Sequence, residues 1–142
     1  MLKSKNESIE AIQTIEISWA PSNPWFKLGF DHHIIQELND VKIKIMSVPY
    51  FLASKFTAFE DRGRDPRTSH DFEDIVYILD NRISLVNDIL DSDLEVKKFL
   101  IARFSNLLKD ESLVEAILAH LEPETQSQRF EILKQKLSII TS

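Results

Sequence analysis

Four charged residues in this sequence fall on helical stripes that should be apolar, and their types suit the handling of phosphate. Residues three and four apart share a helix face. On a helix through residues 50–61, Lys55 therefore has Phe51, Leu52, Ala58 and Phe59 as neighbours, and Arg62 returns seven residues on to almost the same angle. A lysine in an apolar stripe either carries its ammonium out to water or meets an anion inside. On the next segment Asp71 and Asp74 stand three apart, and Ile75 and Ile78 continue their stripe. Buried carboxylates need cationic partners, and Lys55 and Arg62 stand on the preceding helix. Two readings follow, and they are compatible. The four charges clip two helices together, or Lys55 and Arg62 receive phosphate oxygens while the aspartates position them.

The connecting residues add to the cationic side. Arg62-Gly63-Arg64-Asp65-Pro66-Arg67 carries three arginines; with Lys55, the stretch to Arg67 holds four cations against Glu60, Asp61 and Asp65. Solvated surface charge also accounts for Arg64 and Arg67. Thr68 and Asp71 have the spacing of a capping box, which starts a helix.

Other candidates carry less. Asp91-Ser92-Asp93 has the form of a metal-binding D-x-D but lies at a helix junction, where such residues cap. His32, His33, His70 and His120 show no i, i+4 pairing and no second ligand set nearby. No cysteine nucleophile and no G-x-S-x-G elbow is present. Trp25, Phe26, Phe30, Phe51, Phe56 and Phe59 read as core rather than as a base-stacking platform. Gly29 and Gly63 are the only glycines, which excludes P-loops and dinucleotide fingerprints, both of which need several at close spacing.

The elements that must position these residues are those of one domain. The 142 residues are 43% hydrophobic and 28% charged, ordinary values for a globular chain. The net charge of −6 offers phosphate no long-range attraction, so extensive nonspecific nucleic-acid binding is not expected. The start of the chain has no apolar core of a secretory signal, and no run of about 18 apolar residues occurs. A cytoplasmic location is the expectation.

Residues 14–19 and 41–45 alternate as strands do, a turn covers 20–24, and a short helix is expected from Asp31 to Asn39. From Tyr50 the pattern is helical, with helices at roughly 50–61, 70–80, 83–91, 93–108, 111–121 and 125–140. Asp93, Asp110 and Thr125 or Ser127 stand where the last three would be capped. The expected fold class is α+β, predominantly α: a strand-containing part over 1–48 and a bundle of about six helices over 49–142, as a single domain.

The string PYFLASKFTAFEDRGRDPRTSHDFEDIVYILDNR, Pro49 to Arg82, resembles the AbiEii-like nucleotidyltransferases of bacterial abortive-infection and type IV toxin–antitoxin systems. Typical members read P-Y-F-L-A-T-K-x-x-A-F-x-x-R-G, then S-x-D-x-E-D. The likeness extends upstream to Asn23-Pro24-Trp25-Phe26 and downstream through Phe99 to Leu137, with His120-Leu121, Ser127-Gln128 and Phe130 in the tail. The resemblance implies that Lys55, with Arg62 and Arg64, binds nucleotide phosphate, and that Asp71 and Asp74 form the C-terminal catalytic acidic motif. It also implies an NTP, Mg²⁺ and, in some members, a tRNA acceptor.

One departure limits this. The family's first motif is a Gly-Ser hairpin followed by paired carboxylates on strands. This sequence has no Gly-Ser dipeptide and no strand bearing a D-x-D, and Glu16 alone stands where a later strand carboxylate falls. Without paired metal-binding carboxylates, nucleotidyl transfer lacks its charge stabilisation. The expectation is a partial or degenerate nucleotidyltransferase, inactive alone. It would either pair with a chain supplying the missing N-terminal half or serve as a non-catalytic interaction module. In the latter case a homodimer or other partner would cover its apolar sheet faces, with Trp19–Phe30 as the contact.

Overall fold

The computed structural model describes residues 23–142. They form α1 (Pro24–Asp31), β1 (Ile34–Leu38), β2 (Val41–Ile45), α2 (Val48–Arg62), α3 (His70–Asn81), α4 (Leu85–Leu90), α5 (Leu94–Lys109), α6 (Glu111–His120) and α7 (Gln126–Thr141). The class is α+β with helices dominant, and helices appear at all six positions expected after Tyr50. The strand expected over 14–19, with Glu16 and Trp19, lies outside the described residues, as does the turn expected over 20–24 except Asn23 and Pro24, which open α1.

Local chemistry sets the boundaries. Asn23 caps α1 by accepting the Trp25 amide on its Oδ1 at 3.2 Å, and Pro24 fits the first turn, where no amide partner is needed. Gly63 ends α2 in the left-handed region at φ 59°, and its amide donates to the Phe59 carbonyl at 3.1 Å. Asp110 caps α6, accepting from the Ser112 and Leu113 amides. The Ser112 hydroxyl, 2.7 Å from the same oxygen, is the main cause that holds the Asp110 carboxyl below its ordinary range.

Three expectations need correction. The helix expected from Asp31 to Asn39 is instead strand β1, and the helix comes earlier, at Pro24–Asp31. The missed signal is Asn39-Asp40, both at positive φ (52° and 66°), which joins β1 to β2 as a two-residue hairpin turn. The cap of α3 is Ser69, whose Oγ accepts the Phe72 amide at 3.1 Å; Thr68 instead donates to the Asp65 carbonyl. The capping-box spacing was therefore one residue out of register, and Asp71 is left for other partners. Asp93 stands at the N-cap of α5 but makes no capping bond; its Oδ2 instead accepts the Tyr50 hydroxyl.

The core is one cluster contributed by every helix. Leu52 and Phe56 of α2, Phe72, Ile75 and Leu79 of α3, and Leu100 and Phe104 of α5 meet Ile117, Leu133 and Leu137. Trp25 and Phe56 are buried as expected, Phe59 packs against the cluster, and the remaining aromatics of that group are half-buried. Gly29 is buried where α1 meets Met46, in the link between β2 and α2: a Cβ there would come within 2.7 Å of the Met46 side chain. From α7, Lys136 donates to the Leu79 carbonyl at 3.0 Å, satisfying an open end of α3, and burial lowers its ammonium pKa.

Candidate functional site

Helices α2 and α3 pack together, so charges along one meet charges along the other. Arg62 Nη1 donates to Asp71 Oδ2 at 2.7 Å. Lys55 Nζ lies 3.0 Å from Asp74 Oδ2 and 3.7 Å from Asp71 Oδ1. It also sits 5.4 Å from the centre of the Phe51 ring, so its stem follows the apolar stripe to a charged exit. The four residues picked from helical spacing thus form one chain of ion pairs.

Their burial separates them. Asp71 is 5% exposed and has both oxygens engaged by cations. The Asp74 side chain is 48% exposed and the Arg62 side chain 58%, whereas Lys55 is intermediate at 27%. Only Asp71 meets the expectation of a carboxylate turned fully to the core. Asp74 lies at the rim, on the water side of Lys55. Displacing Asp74 alone would uncover the ammonium, while Asp71 stays fixed beneath it.

The turn 63–69 presents the remaining cations. Arg64 is exposed and forms no ion pair among the described residues. Arg67 is occupied: Asp65 accepts from its amide at 2.9 Å and its guanidinium at 3.2 Å, which holds the Asp65 carboxyl below its ordinary range. Glu60 is likewise taken, by a two-pronged pair with Arg103 at 2.7 and 3.2 Å.

Sequence reasoning missed the residue that braces this turn. His120, at the end of α6, donates from Nε2 to the Pro66 carbonyl at 2.9 Å, and its ring lies 6.0 Å from that of Phe72. Because 54 positions separate the partners, no local spacing signals the contact. The same imidazole lines a small cavity of about 160 Å³ with Asp74, Glu73, Tyr77 and Asp80.

A resident divalent metal does not fit these residues. Both oxygens of Asp71 face cations, and among the described residues no three His, Asp or Glu side chains stand together as a metal-binding group. The arrangement can hold a positive rim over a fixed carboxylate, and an anion can enter where Asp74 now sits.

No curated protein and no solved structure matches the chain. Residues 9–136 match the family model described as the nucleotidyl transferase AbiEii toxin of type IV toxin–antitoxin systems. That span takes in both strands, the α2–α3 site and most of α7. The chain belongs to the AbiEii nucleotidyltransferase toxin family.

Proposed function

We propose that this chain binds a nucleoside triphosphate through Lys55, Arg62 and Arg64 on the α2–α3 rim and does not transfer nucleotide by itself. The observation that carries the reading is Lys55 held between a buried aspartate and an exposed one. Asp71 fixes the two helices and orients the cations. Asp74 is the labile partner that phosphate oxygens replace, since charge-assisted bonds to phosphate are of comparable strength. Arg64, unpaired among the described residues, reaches the outer phosphates. Family membership supports nucleotide use, and the sequence supports silence, because it offers no Gly-Ser hairpin with paired carboxylates to hold Mg²⁺.

A second reading is favoured by the hairpin, where Ile34, Ile35 and Leu38 are at least half exposed. In it the chain is a helical interaction module, either a homodimer or one half completed by a chain bearing the missing motif. A tRNA acceptor and a cytoplasmic location belong to the first reading. Among the described residues no helix is long and apolar enough to cross a membrane.

Equilibrium binding of labelled ATP, CTP, GTP and UTP tests the proposal. Lys55→Met should keep the fold and weaken the bound nucleotide by about tenfold or more, about 1.4 kcal/mol per decade. If Lys55→Met lowers stability but wild type and variant bind equally, the four charges are only a clip. Incubation with Mg²⁺, labelled NTPs and tRNA should give no transfer; clear labelling would sink the inactivity.

A further inference from the structure

We propose that the cleft between the β-hairpin and the α4–α5 junction docks an extended, arginine- or lysine-bearing segment of a partner protein. The site is separate from the nucleotide rim and does not depend on it. In the antiparallel register Ile34 faces Ile45, Gln36 faces Ile43 and Leu38 faces Val41, so one face of the hairpin is apolar apart from Gln36. The other face carries Glu37 and Lys42 with Ile35 and Lys44. On the apolar face Ile34 and Leu38 are at least half exposed, and Val41, Ile43 and Ile45 are half-buried. Between the hairpin and the α4–α5 junction lies a cavity of about 460 Å³, with Ile34, Ile45 and Met46 on one wall and Asp88, Asp91 and Asp93 on the other.

The acidic wall keeps open acceptors. Asp91 is exposed, and its carboxylate has no hydrogen bond or ion pair among the described residues. Asp93 uses Oδ2 for the Tyr50 hydroxyl at 2.7 Å and for His32 Nε2 at 3.2 Å, leaving Oδ1. Asp88 uses Oδ2 for Arg82 at 2.9 Å and Ser84 at 3.0 Å, leaving its other oxygen too. Arg82 is the arginine on this wall, and the three carboxylates outnumber it whatever the protonation of His32.

Together the two walls describe their occupant. A strand alternates its side chains at period two, so one face of an added segment can lay aliphatic groups on Ile34 and Ile45. Basic residues of that segment then reach Asp91 and the free oxygens of Asp88 and Asp93. Charge complementarity selects the partner's sign, and a chain of net charge −6 draws it in.

The test uses the full chain and a fluorescein-labelled peptide of about ten residues that alternates valine and arginine, beside its valine–glutamate counterpart. Anisotropy should show binding of the arginine peptide only, weaker at high salt. Asp91→Lys and Ile34→Lys, both at exposed positions, should each weaken it about tenfold with the thermal transition unchanged. Equal affinity of both variants and wild type would mean diffuse attraction to an acidic chain, and would overturn the proposal. Displacement by agmatine at the same cation concentration would also overturn it, by showing that a lone guanidinium suffices.

Discussion

Arg62 Nη1 reaches Asp71 Oδ2 across 2.7 Å, and the two ends of this bond differ sharply in burial: the arginine side chain is 58% exposed, the aspartate 6%. The stability effect of breaking the pair should therefore depend on which side is removed. Removing Arg62 leaves a buried carboxylate with only the more distant Lys55, and an under-paired buried charge is the costly outcome. Removing Asp71 leaves an arginine that water solvates and a lysine that keeps Asp74. Arg62→Ala should cost about 2 kcal/mol and Asp71→Asn about 1 kcal/mol in urea unfolding. Equal losses would mean that the carboxylate is better hydrated than its burial implies.

Asp74→Asn follows from the other half of the network. Lys55 Nζ is 3.0 Å from Asp74, whose side chain is half exposed, so the pair adds little to stability. As the neutral amide cannot hold the ammonium, phosphate no longer competes with a carboxylate. The variant should bind ATP several-fold more tightly than wild type, about 1 kcal/mol, while its unfolding midpoint stays within about 0.5 kcal/mol of the parent. Weaker ATP binding would make Asp74 a ligand-facing group rather than a competitor.

Much of this site was legible because helical geometry is local. Lys55, Arg62, Asp71 and Asp74 break an apolar stripe, and that anomaly is visible in the spacing alone; the structure joins all four. Burial was less legible, since Asp71 and Asp74 look equivalent at i and i+3 and only packing separates them. Asn39-Asp40 carries no glycine to mark a hairpin turn, so the sequence alone does not separate the strand Ile34–Leu38 from a helix. Contacts such as His120 to Pro66 and Tyr50 to Asp93 join residues 54 and 43 positions apart, beyond any periodicity.

Tyr50 makes alkaline stability a readout of that second contact. Burial, then the hydrogen bond to Asp93 and the charges of Asp93 and Glu95, push its phenol well above the ordinary value of 10.0. A pKa raised in the folded state contributes stability that is complete below the unfolded value and lost as pH rises through the folded one. Wild type should therefore lose stability above about pH 10 more steeply than Tyr50→Phe, which has no phenol to ionise. At pH 7 the same variant should be less stable by about 1 kcal/mol, for the lost bond. Parallel pH profiles in guanidinium unfolding would show that Tyr50 ionises without opening the structure.

Gly63→Ala isolates the backbone cost at the turn. A Cβ there would meet nothing within 4 Å, so sterics with neighbours play no part, but φ is +59°. An L-residue with a side chain resists this region, by roughly 1 kcal/mol for alanine and less for asparagine. Gly63→Ala should lower stability by that amount and Gly63→Asn by about half of it. Equal stability of all three would mean that the turn relaxes out of the left-handed region.

His120 gives the last prediction, because it braces the turn from outside both helices of the site. Its Nε2–H bond to the Pro66 carbonyl is partly buried, and removing the donor leaves a carbonyl that water must reach. His120→Ala should cost about 1 kcal/mol or more, since the ring also leaves Phe72. His120→Gln keeps a donor on a side chain of similar reach and should recover part of that loss. The distinguishing readout is local: amide exchange at residues 63–68 should accelerate in the alanine variant more than in the core of α5, where Leu100 and Phe104 are fully buried. Uniform acceleration would assign His120 to the general stability of the bundle. Selective acceleration, together with weaker ATP binding, would assign it to holding Arg64 over the site.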